Sequence, residues 1–367
     1  MSKLKKGLSV GLRIGFCALL LLWIFHSIFL SQGKIAAQNS GLDWSKMDRA
    51  QQWHLAWTTG PHDLWQTLRT IHLAALLVSV LLVGLTILAG VVRWRIVLEA
   101  QGLHLPLNRA TTISFVAQFF NSFLLGSTGG DLIKAYYAAR ETHRKKTEAV
   151  TTVFVDRLIG LWSMLLFAVL FMIPNYTVLT SSRDVAVPAL FILAMLLGLS
   201  VVLGLAFWGG ISKGLPRARE YLRRLPKGDV LERAVNSCRQ FGKQKSFLLK
   251  TVALSWVVNI LWVGQIIVLG HGLALNIQPL ALFAIVPMIL CISSLPITPN
   301  GLGVRENLFV LMLGVINVPK TGALSASLIA SAQGLLWSLI GGFIYMGLRQ
   351  KEHLSEVTQE GEDAKEN

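Results

Sequence analysis

Residues 187–208 read VPALFILAMLLGLSVVLGLAFW, 22 positions without a charged side chain. A helix needs about 20 mainly apolar residues to cross the hydrocarbon layer of a bilayer. Five further runs have this character, near 10–30, 70–92, 151–173, 249–270 and 323–348. Apolar residues make up 53% of the 367 and charged residues only 14%, against roughly 25% charged in soluble domains. Lipid offers the backbone no hydrogen-bond partner, so runs of this length are expected as helices. The fold class expected is an all-α polytopic membrane protein.

Two more segments are apolar but interrupted. One spans 110–126 and ends in Gly-Ser-Thr-Gly-Gly; the other spans 280–316 and is cut by Pro296, Pro299, Gly301 and Gly303. Charge decides how the runs thread. The N-terminus, 93–109, 131–150, 213–245 and the C-terminal tail hold 25 Lys and Arg, whereas 31–69, 174–186 and 317–322 hold 6. The rich set is expected in the cytoplasm. That predicts six full spans with both termini inside, in a bacterial-type cytoplasmic membrane. Segment 110–126 then starts and ends inside, so it must be re-entrant; 280–316 starts and ends outside and must dip in the other way. Span, re-entrant hairpin, span over 70–173 and again over 249–348, in opposite orientations, is the pattern of an inverted repeat.

The net charge of +15 suggests nucleic acid, but most of these charges flank apolar runs as orientation signals do, so no nucleic-acid partner is expected. Lys3, Lys5 and Lys6 precede the run 10–30. At about 21 residues it exceeds the 7–15 of a signal h-region, and is expected as a retained first span. Residues 1–350 form one transmembrane domain with its core over 70–348 and a basic cytoplasmic loop over 210–248. Residues 351–367 read as a polar, disordered tail. Trp44, Trp53, Trp57 and Trp65 fall in the expected outer loop and suit an interfacial belt. Cys17, Cys238 and Cys291 match no disulfide or zinc spacing, and no metal or cofactor is expected. Small residues every fourth position in the last run, Gly322, Ala326, Ala330, Gly334, Ser338 and Gly342, permit close helix contact.

Three stretches carry chemistry. NSFLLGSTGGDLIK, 121–134, offers Asn121, Ser127, Thr128, Gly129, Gly130, Asp131 and Lys134. Its glycines free the backbone for a tight turn, and its hydroxyls and amides suit an anion. Asp131 is placed to cap the next helix or to pair with Lys134; a plain helical turn is the alternative. In VTTVFVDRLIGLWSM, 150–164, Asp156 and Arg157 enter a span together, which is costly unless they face a cavity or partners; an interfacial anchor is the other reading. LPITPNGLGVRE, 295–306, breaks the helix and then presents Arg305 and Glu306, with Pro296, Thr298, Pro299, Asn300, Gly301 and Gly303 around the break. An arginine fork suits phosphate; a turn held by a salt bridge is the alternative.

These three stretches together resemble the flippase-like transmembrane domain of lysylphosphatidylglycerol synthases and its stand-alone relatives. The family shows P-S-T-x-G-G-D-x-x-R, D-R-x-x-G and P-x-T-P-G-G-L-G-V-R-E patterns, and the likeness covers roughly 70–350. This chain departs from it at Gly126, Lys134 and Asn300, where proline, arginine and glycine are usual. The resemblance implies a lipid flippase-like transporter for a phospholipid or lipid-linked headgroup, an anionic one fitting the cations. With no synthase domain after 350, no GK[ST] and no DxD, no enzymatic activity is expected. A non-catalytic partner of a lipid-modifying enzyme, a membrane-embedded transferase and a homo-oligomer stay open as alternatives.

Overall fold

A computed structural model describes residues 26, 29–30, 32–123, 129–141, 145–208, 241–242, 245–295, 301 and 303–366. Its regular elements are helices: α1 (Arg49–Thr70), α2 (Leu73–Ala100), α3 (Leu107–Phe123), α4 (Gly129–Glu141), α5 (Lys146–Met172), α6 (Tyr176–Ser181), α7 (Arg183–Trp208), α8 (Lys245–Gly272), α9 (Pro279–Ser293), α10 (Val304–Gly314) and α11 (Lys320–Glu366). Five segments are long and apolar enough to cross a membrane: Leu73–Ala100, Lys146–Met172, Arg183–Phe207, Ser246–Gly272 and Gly322–Gly347. They match five of the six expected runs; most of 10–30, and nearly all of the basic loop 210–248, lie outside the described residues. The chain is thus a multi-pass, all-helical membrane protein.

Three boundaries differ from the sequence reading. The expected outer loop 31–69 is mostly helix, with α1 presenting Trp53, Trp57 and Trp65 to the surface. Helix α2 runs to Ala100, so Arg93 belongs to a span and not to the loop expected from 93. Helix α11 continues through the polar 351–366 that composition marked as a disordered tail.

The two interrupted segments become helix pairs, α3 with α4 and α9 with α10. Each breaks where the sequence supplies glycine. Gly301 and Gly303 take φ +70° and +83°, left-handed values that cost other residues strain. Gly130 is needed for closeness: a Cβ there would sit far inside van der Waals contact with the Ala117 carbonyl oxygen.

The helix packing is symmetric under exchange of α2–α5 with α8–α11. Helix α2 lies along α8; α3 packs on α11 as α9 packs on α5, and α4 packs on α5 as α10 packs on α11. The segments ahead of each half also correspond. Phe29 and Ala56 pack on Phe119 of α3 and Leu328 of α11, just as Val185 and Ile192 of α7 join a core with Leu165 of α5 and Leu282 of α9. Sequence identity between halves is too low to have displayed this. A second core joins Trp94 and Leu98 of α2 to Ala110, Ala135, Ala138 and Ala149, small residues that let α2–α5 approach closely.

Polar side chains tie the bundle across its centre. Gln333 of α11 donates to Ser79 Oγ of α2 at 2.6 Å and accepts from Gln265 Nε2 of α8 at 2.8 Å. Hydrogen bonds between membrane helices average about 0.6 kcal/mol and reach about 1.7. Gln333→Leu removes two, so a loss of about 1 kcal/mol is expected, read as a lowered Tm in detergent. An unchanged Tm would show that Gln265 and Ser79 find other partners.

Candidate functional site

Helices α2, α3, α4, α5, α8, α9, α10 and α11 enclose a cavity of about 430 Å³. Asn121, Asp131, Lys134, Asp156, Arg157 and Arg305 all line it, so all three chemical stretches converge on one space. Both helices of each broken pair line the cavity, and the second helix of each brings in the charges next to the break.

The ion pairs cross between helices. Lys134 does not pair with Asp131 three residues before it; it reaches Asp156 Oδ2 of α5 at 3.7 Å, while Asp131 takes Arg157 of α5. A helix cap by Asp131 or a local pair with Lys134 on α4 was the expectation. Docking α4 against α5 brings a carboxylate and a cation of each helix opposite their complements, and both helices gain. Lys134 also lies 4.2 Å from the Trp94 ring centroid, a cation–π contact that helps hold a buried ammonium.

Asp156 is gripped from a second direction. Arg93 of α2 donates Nε to Oδ1 at 2.8 Å and Nη2 to Oδ2 at 3.3 Å, and Nη1 to Ser255 Oγ of α8 at 3.1 Å. The guanidinium lies against Gly160, one turn after Asp156, where a Cβ would come within 2.7 Å of Nη1. Arg93 was counted as a loop charge by sequence. The available signal was its spacing from Arg95: two residues apart on a helix, they point about 200° apart. Accordingly Arg95 is half-exposed and pairs with Glu99, while the Arg93 side chain is 15% exposed.

In the second broken pair, Glu306 caps α10 by accepting the Gly303 N–H and lies 3.5 Å from Arg305 Nε. Glu306 is buried and outside the cavity lining. Arg305 also donates Nη2 to Ser331 of α11, and its Nε is buried without a hydrogen bond. The repeat extends to these contacts. Asp131 is the third residue of α4 and meets Arg157, the twelfth of α5; Arg305 is the second of α10 and meets Ser331, the twelfth of α11. The second half keeps the register of the first on the long helix, is shifted by one residue on the short helix, and has a hydroxyl contact in place of that ion pair.

The glycines have structural parts. The Gly130 amide donates to Asn121 Oδ1 at 2.8 Å, and Gly129 and Gly130 are buried at the start of α4. Gly301 packs against the Ser293 carbonyl, and Gly303 precedes α10. Ser127, Thr128, Pro296, Thr298, Pro299 and Asn300 lie outside the described residues. Residues without a sequence signal add to the wall: Gln118, Gln265 and Ser331. Of the small-residue stripe of the last span, Ala330 and Gly334 leave the cavity open, while Ser338 meets Ser122 and Gly342 packs on Phe119.

The profile of the family described as "Lysylphosphatidylglycerol synthase TM region" matches residues 52–342. Among curated proteins, a UPF0104 membrane protein of Methanothermobacter thermautotrophicus is 21% identical over 290 residues, covering 74% of this chain and 84% of the relative. The UPF0104 membrane protein MJ1595 of Methanocaldococcus jannaschii is 22% identical over 271 residues, covering 71% and 80%. The matched region holds both broken helix pairs and every charged residue of the cavity, and the chain belongs to the lysylphosphatidylglycerol synthase transmembrane-region family.

Proposed function

We propose that the chain is a flippase-like transporter that carries a phospholipid or lipid-linked headgroup between leaflets, using the charged cavity between its two broken helix pairs. One observation carries this reading: charged residues from both broken pairs line a single cavity inside a bundle of membrane-spanning helices. Charged side chains at membrane depth are expensive, and mark pathways when they face a cavity. Transporters built from repeats place their sites at discontinuous helices near the bilayer midplane.

The depth agrees. The positive-inside pattern puts the start of α5 at the cytoplasmic face and the start of the α11 span at the outer face. Asp156 lies five residues after the start of its apolar run at 151, and Ser331 eight after the start of its run at 323. At 1.5 Å per residue they are about 8 and 12 Å inside a roughly 30 Å hydrocarbon layer. In this arrangement α3–α4 enters from the cytoplasm and α9–α10 from outside, both termini are cytoplasmic, and the protein resides in a bacterial-type cytoplasmic membrane. The headgroup would slide through the cavity with its tails in lipid, and rocking of one half against the other would expose it to each leaflet.

Reconstitution into liposomes with fluorescent, tail-labelled lipids tests this. Protein-dependent movement is expected, and Arg305→Ala is expected to slow it about tenfold, the loss of one charge-assisted contact of about 1.4 kcal/mol. Equal rates for wild type and Arg305→Ala would sink the reading. No movement by the protein alone, together with a stoichiometric co-purifying enzyme, would make it an accessory subunit instead.

A further inference from the structure

We infer that the cavity is built for a headgroup of net negative charge, a phosphate without compensating cations, and that it rejects a lysylated, cationic headgroup. This deepens the transport reading and rests on it. Among the described residues, the charged ones lining the cavity are Arg93, Lys134, Arg157 and Arg305 against Asp131 and Asp156. Counting Glu306 behind the α10 start still leaves one positive charge in excess.

The distribution of pairing locates the excess. Asp156 is shared by Arg93 and Lys134, and Asp131 is engaged by Arg157. Arg305 has Glu306 Oε1 at 3.5 Å from its Nε and donates to Ser331, while Glu306 Oε2 takes the Gly303 N–H. The cation in excess therefore lies where Arg93 and Lys134 share the one carboxylate of Asp156, across the same cavity from Arg305. Uncompensated positive charge at this depth is unfavourable by itself and is relieved by a bound anion. A phosphodiester offers the two-oxygen edge that a guanidinium fork matches. A lysyl ester on the same headgroup adds two ammonium groups to one phosphate and turns its net charge positive, so the excess cations would repel it.

Native mass spectrometry of the purified protein tests this, with equal amounts of phosphatidylglycerol, phosphatidylethanolamine and lysylphosphatidylglycerol of identical chains. Phosphatidylglycerol should be retained about tenfold over the lysylated lipid, with the zwitterion between. Arg305→Gln should bring phosphatidylglycerol down to the zwitterion's level, which excludes binding at the basic outer surface, and Arg305→Lys should keep the preference. Should the Gln variant fail to fold, the wild-type ratio decides alone. Equal retention of the three, preference for the lysylated lipid, or an unchanged ratio in a folded Arg305→Gln would overturn the inference. Displacement by excess inorganic phosphate would assign the cations to a free phosphate and overturn it too. Selective retention without movement in liposomes would leave this inference standing and sink the transport reading; movement of all three at one rate with equal retention would do the reverse.

Discussion

Arg93→Leu is expected to destabilise the protein by about 3–5 kcal/mol, the range found when one partner of a buried ion pair is removed. Asp156 would keep only Lys134, at 3.7 Å, and would lose both charge-assisted hydrogen bonds from Arg93. Ser255 would lose its donor as well. The cost arises because a carboxylate buried in a membrane bundle cannot turn to water. Adding Asp156→Asn removes the stranded charge, so the double variant should recover much of the loss even though both native groups are gone. Thermal unfolding in detergent reads both. An unchanged Tm for Arg93→Leu, or a double variant worse than the sum of the singles, would show that Asp156 is solvated and that Arg93 is no keystone. A companion expectation concerns Gly160: Gly160→Val should lower Tm in the same direction, because its side chain would occupy the guanidinium's place against α5.

Gly130→Val should be at least as damaging, by backbone collision instead of charge. Any Cβ at 130 collides with the Ala117 carbonyl oxygen and comes within 2.6 Å of Asn121 Cγ. Asn121 can turn away, but the α3 backbone cannot. Helix α4 must therefore move off α3, breaking the Gly130–Asn121 hydrogen bond and carrying Asp131 and Lys134 away from Arg157 and Asp156. Overpacking alone costs about 1–3 kcal/mol, and parting two buried ion pairs adds to it. Lipid movement in liposomes should fall to the protein-free rate. Gly198→Ala supplies the contrast: a methyl group at that position would meet nothing within 4 Å, so the change should fall within about 0.5 kcal/mol of neutral. Wild-type activity in Gly130→Val would mean that α4 docks on α3 less tightly than the Gly130–Ala117 contact requires.

The sequence by itself determined that the chain is helical and crosses a membrane, because a bilayer leaves the backbone no other way to satisfy its hydrogen bonds. It also marked the polar residues that the fold gathers round one cavity: Asn121, Asp131, Lys134 and Arg305 beside broken helices, and Asp156 and Arg157 at the entry of a span, where charged residues have no cheap reason to be. What it did not hold was pairing. Asp131 read as a helix cap or as a local partner of Lys134, since capping and three-residue spacing are all that one helix shows; the partners of both lie on α5, about 25 residues on, and only packing selects them. Arg93 read as a loop cation because charge near the end of an apolar run marks an orientation signal until the neighbouring helix is seen to supply Asp156. The repeat was suggested by threading alone, and the correspondence of Arg157 with Ser331 needed the folded register. Hydrophobicity acts along the chain and is written there, whereas ion pairs and close glycine contacts act across it and exist only once the helices are docked.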